Sequence, residues 1–401
     1  MSMLQGIRVV DFTQYLAGPT VTRLMAEMGA DVVKVEMAPG GDPARLLPLR
    51  IGERSLYYIQ QNRGKKSLCV DFAKPGAAAL LADLAAGADV VVENFGPGVL
   101  EKRGLGYESL AKRNPRLIMA SISAFGRTGP LSHKVGFDLI AQAFSGLMSM
   151  TGDPNGPPSW VGLAIADVQS GVHAFGAIGY ALFHRERTGR GQHIDVSMVD
   201  ALYHCHEGNV QFFANSGGAV EPTRHGAQHG MAGPMGVYKA KQGWIVLLVL
   251  DRQWENFCRA LGRPELVSDS RFTTGALRGA NKVELAAIIE DWLARQPSTD
   301  AALAVFEQHR VAAAPVLTVK DTVSHPYFAA RDMIRRVPDP VLGELTIPGF
   351  PFKFGAIPEL PNLQAPLLGQ HNAEVLRERL GLDAARIAEL EKSGLLVSGS
   401  A

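Results

Sequence analysis

The strongest constraint on the fold is an alternation of β-branched runs with helical runs in the N-terminal third of the chain. The run Ile7–Phe12 has the pattern of a strand, Thr20–Met28 has apolar residues at helical spacing, and Asp31–Glu36 has the pattern of a second strand. The alternation continues with helices predicted at 75–86 and 107–112 and strands predicted at 89–93, 116–121 and 194–197. Parallel strands joined by helices form an open α/β sheet, whose ligands usually bind at the carboxyl ends of the strands.

The sequence pattern changes near residue 225. Before it, Phe137–Arg187 is helical in two parts, broken by the turn-rich stretch Thr151–Pro158. The segment Asn215–Gly236 is rich in Gly, His and Pro, which is typical of a linker that delimits a domain. A β run at Trp244–Leu250 follows, and then amphipathic helices at 254–261 and 282–294. We therefore predict an open, Rossmann-like parallel sheet in a large domain and a smaller α+β domain at residues 225–330.

Composition excludes several classes of protein. Of 401 residues, 46% are hydrophobic and 20% charged, as in a folded soluble protein, and 40 Lys and Arg balance 39 Asp and Glu. Because no basic excess remains for phosphates, nucleic acid is not an expected partner. Three widely spaced cysteines, Cys69, Cys205 and Cys258, form neither a disulfide framework nor a zinc motif, so no metal is predicted. The absence of a long apolar run predicts no membrane partner and a cytoplasmic protein.

Short catalytic motifs also narrow the field. Gly104-x-Gly106 and Gly189-x-Gly191 lack the third glycine of a dinucleotide fingerprint, which favours ordinary turns. The sequence contains no P-loop, G-x-S-x-G or H-E-x-x-H motif. His204 and His206 lie two residues apart in a predicted helix, so they point to different faces and are not expected to share a ligand.

Asp167 is the most informative single residue. In Gly162–Gly176 it is the only carboxylate, and its neighbours are mostly small and apolar at the start of a predicted helix. It could be the N-cap of that helix, since aspartate often takes this place. Helix amides would also keep the group ionised, and an ionised carboxylate with small neighbours suits covalent catalysis through an acyl anhydride. The two interpretations are compatible, and both remain open at this point.

Strings spread over almost the whole chain resemble the class III CoA-transferase family, of which formyl-CoA transferase and the CaiB/BaiF proteins are types. The strings, in chain order, are Val10–Thr13 with Ala17–Pro19, Gly29–Glu36, Asn62–Ser67, Val92–Gly98, Ala141–Gly146, Thr188–Gln192 and Leu368–Asn372. Each string is weak alone, but their order along the chain makes coincidence a poor explanation.

The resemblance implies a fold and a mechanism. Residues 1–224 and 331–401 are expected to form the large CoA-binding α/β domain, and two subunits are expected to interlock as a homodimer. The family nucleophile matches Asp167 in the G-x-x-x-x-D-x-x-S-G pattern that begins at Gly162. Its carboxylate is expected to attack an acyl-CoA, form a mixed anhydride and then an aspartyl-CoA thioester, and pass CoA to a second acid. Coenzyme A and acyl-CoA are thus expected as substrates, with no permanently bound cofactor.

The resemblance also implies contact residues. For CoA these are Leu16, Ala17, Met37, Val70, Asp71, Asn94, Phe95, Gly96, Lys102, Lys134, Phe137 and Asp138. Formyl-CoA transferase has arginine where this chain has Met37, and a thioether can cover an adenine face but cannot pair with a phosphate. The segment Gly226–Gly233 matches the family's glycine loop, so Gly226, His229, Gly230 and Gly233 are expected to form a lid that keeps the anhydride dry. An interdomain linker is the alternative for this segment.

Two alternatives of function remain. A 2-methylacyl-CoA racemase or epimerase shares the fold, but it needs a histidine in a G-H-D string where this chain has Gly136-Phe137-Asp138. A non-catalytic CoA-binding protein would not need the intact surroundings of Asp167. For a transferase, Arg45, Arg50, His225 and His229 are cationic candidates for a second carboxylate. We therefore predict a small dicarboxylate acceptor, such as succinate, oxalate or a C5 acid like itaconate or mesaconate.

Overall fold

The computed structural model describes residues 2–219, 221–230, 232–356 and 363–399. In chain order, the strands in these residues are β1 Arg8–Asp11, β2 Asp31–Met37, β3 Arg50–Ile51, β4 Arg54–Ser55, β5 Lys66–Val70, β6 Val90–Glu93, β7 Ile118–Ser123, β8 His193–Ser197, β9 Met235–Lys239, β10 Trp244–Leu248, β11 Ala312–Pro315, β12 Ile334–Asp339 and β13 Gly343–Pro348.

The α-helices are α1 Ala17–Glu27, α2 Leu56–Asn62, α3 Ala77–Ala86, α4 Tyr107–Arg113, α5 Asp138–Phe144, α6 Leu147–Met150, α7 Ile165–Thr188, α8 Met198–Tyr203, α9 Asn209–Asn215, α10 Trp254–Ala260, α11 Gly275–Ala280, α12 Lys282–Arg295, α13 Thr299–Gln308, α14 Val319–Thr322, α15 Pro326–Ala330, α16 Asn372–Leu380 and α17 Ala384–Lys392. Short 3₁₀ helices lie at Pro43–Leu46, Glu101–Arg103, Asp251–Gln253 and Pro264–Val267.

The large sheet has six parallel strands in the order β5-β2-β1-β6-β7-β8. Its strands are rich in buried valine and isoleucine, as expected for a parallel sheet covered on both faces. The C-terminal part of the chain joins this sheet at its β5 edge, where the Asp71 amide donates to the Leu395 carbonyl. The predicted α/β fold with an open parallel sheet is confirmed. His204 and His206 lie just after α8 and not in a helix, which corrects that expectation.

The described residues group into two compact units. The first consists of residues 2–145, 162–207, 326–356 and 363–399, and the second consists of residues 146–161, 208–219, 221–230 and 232–325. The second unit thus holds nearly all of the predicted small domain and also two segments that precede residue 225. The predicted domain boundaries at 225 and 330 stay a prediction.

One face of the large sheet carries the main core of the first unit. Leu81, Leu84 and Leu110, from α3 and α4, pack with Leu376 from α16 against the strands and are almost completely buried. Full burial of one such side chain contributes roughly 1.5–3 kcal/mol. In the same unit, α7 packs along α1, and a Cβ at Gly171 would lie 2.6 Å from the carbonyl oxygen of Ala17. Glycine at this position therefore lets the two helices approach closely.

The second unit has its own core. Its three-stranded antiparallel sheet has the order β11-β10-β9, and α10, α12 and α13 contribute apolar side chains to the same cluster. Phe257 and Phe306 stack at a centroid distance of 5.8 Å in that cluster. This unit is therefore an α+β structure with a core independent of the large sheet. Among the described residues of both units, we find no helix with the length and apolar character of a membrane span.

Candidate active site

The residues that the resemblance implies for CoA lie at the carboxyl ends of five adjacent strands in the first unit or in the segments that follow those ends. The sheet order β5-β2-β1-β6-β7 places these ends side by side along one edge. In that order the residues are Val70 and Asp71 at the end of β5, Met37 at the end of β2, Leu16 and Ala17 after β1, Asn94, Phe95, Gly96 and Lys102 after β6, and Lys134, Phe137 and Asp138 after β7. The fold therefore places these five strand ends at the edge of the sheet where ligands of parallel sheets usually bind.

The loop after β1 is held in one conformation by its neighbours. The Asn94 side chain accepts from the Gln14 amide at 2.7 Å and donates to the Gln14 carbonyl at 2.8 Å. Tyr15 has a φ of 61°, which is unusual for a residue other than glycine, and its amide donates to Asp42 at 3.1 Å. The Asn94 amide, implied as a CoA contact, is therefore used within the protein to position the loop. Sequence reasoning missed this role.

Buried ion pairs underlie the same edge. Lys65 lies 2.9 Å from Asp11, and Lys34 lies 2.9 Å from Asp42, with all four side chains at most 1% exposed. Burial by itself would raise the pKa of Asp11, but the charges of Lys65 and Lys34 hold it below its usual range. Because each carboxylate faces a buried cation, these pairs fix the loops and leave little freedom to bind a substrate.

The two arginines proposed for a second carboxylate already have partners. Arg45 forms a bidentate ion pair with Glu36, in which both N···O distances are 2.7 Å. Its guanidinium also donates to the Tyr58 hydroxyl. Arg50, which is partly exposed, pairs with the exposed Glu53 at 3.1 Å. Arg45 is therefore a structural residue, because releasing it would leave the buried Glu36 without its cation.

Asp167 is the third residue of α7 and is half-buried. The N-cap of that helix is Ala164, which has no capping side chain, so the interpretation of Asp167 as an N-cap is wrong. Burial raises the pKa of Asp167 from 3.8 to about 7, and the negative charge of Asp138 acts in the same direction. A carboxyl group with this pKa is both ionised and protonated at neutral pH, which is typical of catalytic groups.

Tyr57 is a site residue that sequence reasoning missed. It lies on α2 and is half-buried, and burial raises the pKa of its phenol above the usual value. The charges of Asp167, Asp42 and Asp138 raise that pKa further, so the hydroxyl stays protonated and can donate a hydrogen bond. Its place beside these carboxylates depends on tertiary structure, and no sequence motif marked it.

The remaining implied CoA residues differ in how accessible they are. Met37 is 37% exposed, Gly96, Lys102 and Lys134 are exposed, and Phe95 is half-buried, so a bound molecule can reach them. Val70 is completely buried in the core, and its carbonyl accepts from the Ala38 amide. Its side chain therefore cannot contact CoA without displacement of the core. The CoA roles of all these residues stay predictions.

The segment implied as a lid belongs to the second unit. Its backbone is attached at several points: the His229 amide donates to the Met235 carbonyl, and the buried Arg278 donates to the Gly233 carbonyl at 2.6 Å. Lys282 donates to the His225 carbonyl at 3.1 Å. A Cβ at Gly230 would lie 2.5 Å from the His225 ring, so this glycine permits the turn. Met231 lies outside the described residues, and the roles of Gly226, His229, Gly230 and Gly233 as a lid stay predictions.

A comparison with known protein families identifies the chain. The profile of CoA-transferase family III matches residues 4–372. The chain belongs to this family. It is 36% identical over 399 residues to the succinyl-CoA:glutarate CoA-transferase of Mus musculus, covering 99% of this chain and 91% of that protein. It is 41% identical over 390 residues to the succinyl-CoA:mesaconate CoA-transferase of Haloarcula hispanica, covering 94% and 96% of the two chains.

Solved structures agree with this family. The crystal structure of a CAIB/BAIF family protein from Brucella suis matches with a TM-score of 0.83 and 35% identity, covering 94% of this chain and 99% of that chain. The predicted enzyme class, a CoA-transferase, is thus confirmed. In this family III chain, Phe137 stands immediately before Asp138 and is 64% exposed. A phenyl ring has no proton to exchange, which counts against a racemase that uses this position as a base.

Proposed function

We propose that this family III CoA-transferase moves CoA from an acyl-CoA to a small dicarboxylate through a covalent intermediate on Asp167. The observation that carries the proposal is the raised pKa of this half-buried carboxyl group, about 7, in the first turn of α7. A carboxylate of high basicity is a better nucleophile toward a thioester than an ordinary surface aspartate. The neighbouring edge of the sheet carries the residues expected to bind the donor.

The reaction balances without any further reagent. One Asp167 oxygen attacks the thioester carbonyl carbon and the C–S bond breaks. CoA thiolate departs, and a mixed anhydride of Asp167 and the donor acid remains. The thiolate then attacks the aspartyl carbonyl carbon, so the donor acid leaves as its carboxylate and an aspartyl-CoA thioester remains. The acceptor carboxylate attacks that thioester, which releases the thiolate and forms a second mixed anhydride between Asp167 and the acceptor. The thiolate finally attacks the acceptor's acyl carbon in this anhydride. This last step forms the product thioester and frees Asp167.

Relatives support the substrate class. The similar proteins named above use succinyl-CoA with glutarate or mesaconate, and both acceptors are dicarboxylates of five carbons. We therefore propose succinyl-CoA as donor and a C5 dicarboxylate as acceptor, with coenzyme A as the carried group. Since Arg45 is engaged by Glu36, the cation for the acceptor's second carboxylate in the first unit is sought at Arg50, whose partner Glu53 is exposed.

Exposed apolar side chains support the proposed interlocked homodimer. In the first unit, α7 packs against α5 and α8, and these three helices expose large apolar side chains to solvent. Those more than 36% exposed are Leu139, Ile140, Phe144, Val172, Tyr180, Phe183 and Tyr203. Exposed apolar surface on adjacent helices is typical of an interface. Sedimentation of the purified protein should give the mass of two chains, and a stable monomer would refute this part of the proposal.

A panel of acids tests the function. Succinyl-CoA or acetyl-CoA is mixed with glutarate, mesaconate, itaconate, succinate, oxalate and long or aromatic monocarboxylates, and the new thioester is measured by mass spectrometry. The expected result is transfer to the dicarboxylates. Transfer only to the monocarboxylates would refute the acceptor class. Incubation of an acyl-CoA in deuterated water, without an acceptor, should give no exchange of the α-proton, whereas a racemase would exchange it.

Trapping tests the covalent step. The wild-type enzyme mixed with succinyl-CoA and quenched with hydroxylamine should carry a hydroxamate on the peptide that contains Asp167. Asp167→Asn keeps the size of the side chain and should give no hydroxamate and no transfer. As a control, Asp83→Asn removes an exposed carboxylate on α3 and should behave as wild type. Modification at another residue, or transfer by Asp167→Asn, would overturn the assignment.

A further inference from the structure

The start of α7 is capped from another helix. Its own N-cap, Ala164, has no polar side chain, so its first amides need an acceptor from elsewhere. Asp138, the first residue of α5, supplies it: one carboxylate oxygen accepts from the Ala166 amide at 2.7 Å and from the Asp167 amide at 3.4 Å. The acceptor for α7 is thus a carboxylate that is distant in sequence and only 8% exposed.

The second oxygen of Asp138 is also occupied. Gln142, one turn further along α5, donates to it at 2.7 Å, and the same amide nitrogen donates to the Leu163 carbonyl at 3.3 Å. Each of these groups is a donor, so both oxygens of Asp138 act as acceptors. Asp138 and Gln142 therefore connect α5 to both sides of the start of α7.

We infer that Asp138 is the positioning residue of the nucleophile: it fixes the first turn of α7 and places a negative charge beside Asp167. This inference rests on the proposed role of Asp167 and replaces the implied CoA contact of Asp138 with a structural and electrostatic role. The amide of Asp167 is itself a donor to Asp138, so the backbone that carries the nucleophile cannot shift without breaking the cap.

Two consequences follow for the chemistry. A like charge makes ionisation of Asp167 less favourable, so the carboxylate, once formed, is a stronger base and nucleophile. Among the described residues, the Tyr57 phenol from α2 also interacts electrostatically with Asp167, and Asp42 and Tyr15 in turn raise the pKa of that phenol. The helix α1, which packs along α7, has no acidic residue in its first turn. Asp138 is therefore the neighbouring charge to change.

The test separates the charge of Asp138 from its capping oxygen. Asp138→Asn keeps an acceptor for the two amides and removes the charge, whereas Asp138→Ala removes both. The rate of succinate release in a single turnover with succinyl-CoA, without an acceptor, is measured by rapid quench from pH 5 to 9 for each variant and for the control Asp83→Asn. For Asp138→Asn we expect an inflection about one pH unit lower than wild type. We also expect a plateau rate about threefold lower, as for a Brønsted slope near 0.5.

A second readout does not depend on activity. The carboxyl group of Asp167 is titrated by infrared difference spectroscopy between each protein and its Asp167→Asn counterpart. Asp138→Asn should lower the titration midpoint and lower the melting temperature only slightly, because it keeps an oxygen for the amides of α7 but loses the one that accepts from Gln142. Asp138→Ala loses both acceptors and should lower the melting temperature more. An unchanged midpoint in Asp138→Asn would overturn the inference. Should the wild-type enzyme release no succinate from succinyl-CoA, the proposed function fails, but the infrared titration still decides the role of Asp138.

Discussion

Replacing Asp167 by asparagine should make the protein more stable while it abolishes turnover. The folded protein holds the pKa of Asp167 at about 7, well above its ordinary value of 3.8. Between these values the folded state binds more protons than the unfolded chain, so stability falls as the pH rises from about 4 to 7. Above pH 7 the ionised side chain lowers the free energy of unfolding. Asparagine carries no charge and does not have this effect.

The size of the effect follows from the same pKa values. Because one pKa unit corresponds to about 1.36 kcal/mol, the ionised group costs roughly 4 kcal/mol at pH 8 and roughly 1.7 kcal/mol at pH 5. Asp167 is only half-buried, so solvent screens part of this. About 2 kcal/mol of added stability at pH 8 is therefore expected for Asp167→Asn, and less than half of that at pH 5.

Urea unfolding at fixed protein concentration measures this difference. Wild type, Asp167→Asn and the control Asp83→Asn are unfolded at pH 5 and pH 8, and the midpoints are compared after confirming equal slopes. A gain that is larger at pH 8 supports the reasoning. Equal stability of Asp167→Asn and wild type at pH 8, or the same gain at both pH values, would refute the claim that the folded protein disfavours the ionised carboxylate.

Three further predictions concern the same site and its support. Succinate release in a single turnover with succinyl-CoA should fall about tenfold per pH unit below an inflection near pH 7, because protonated Asp167 is not a nucleophile. A flat profile in rapid-quench measurements from pH 5 to 8 would contradict this. Asn94→Ala should lower the free energy of unfolding in urea by about 1–3 kcal/mol and raise the KM for acyl-CoA, because the backbone amide and carbonyl of Gln14 both lose their hydrogen bonds to the Asn94 side chain. Unchanged values would show that these two hydrogen bonds are dispensable. Gly171→Ala should cost about 1–3 kcal/mol and lower the melting temperature, because the new Cβ meets the Ala17 carbonyl at 2.6 Å; an unchanged melting temperature would show that α1 and α7 can separate without cost.

Local patterns in the sequence predict the sheet well, and they select Asp167 as a candidate nucleophile. Runs such as Asp31–Glu36 identify strands because β-branched residues fit a buried parallel sheet, and the observed β2 spans Asp31–Met37. The general rule for parallel sheets then gives the edge where ligands bind, before any side chain is placed. Asp167 could be selected because it is the only carboxylate in an apolar stretch, and family resemblance gave it a role.

The supporting contacts could not be predicted in this way. The clamp between Asn94 and Gln14 joins residues 80 positions apart, and the cap from Asp138 to Ala166 joins residues 28 positions apart. A sequence pattern shows which side chains can accept a hydrogen bond, but not which distant amide lacks an acceptor. Sequence reasoning also missed the ion pair between Arg45 and Glu36. This pair depends on how the loop after β2 folds back on the strand, which the sequence pattern does not show.

Carboxylates that face a cation differ from Asp167 in a way that supports its proposed role as the nucleophile. Asp11 and Asp42 lie at the same edge of the sheet as the implied CoA residues, but Lys65 and Lys34 face them at 2.9 Å, so the ionised form of each carboxylate has a buried cation beside it. Asp167 instead has Asp138 as its charged neighbour, and its pKa is raised. A carboxylate stabilised by a cation is a weak nucleophile, whereas one ionised against burial and a like charge gains free energy when it forms a neutral anhydride. The proposed function therefore assigns aspartate to rigid support in one place and to covalent chemistry in another, and the sign of the nearest charge distinguishes the two.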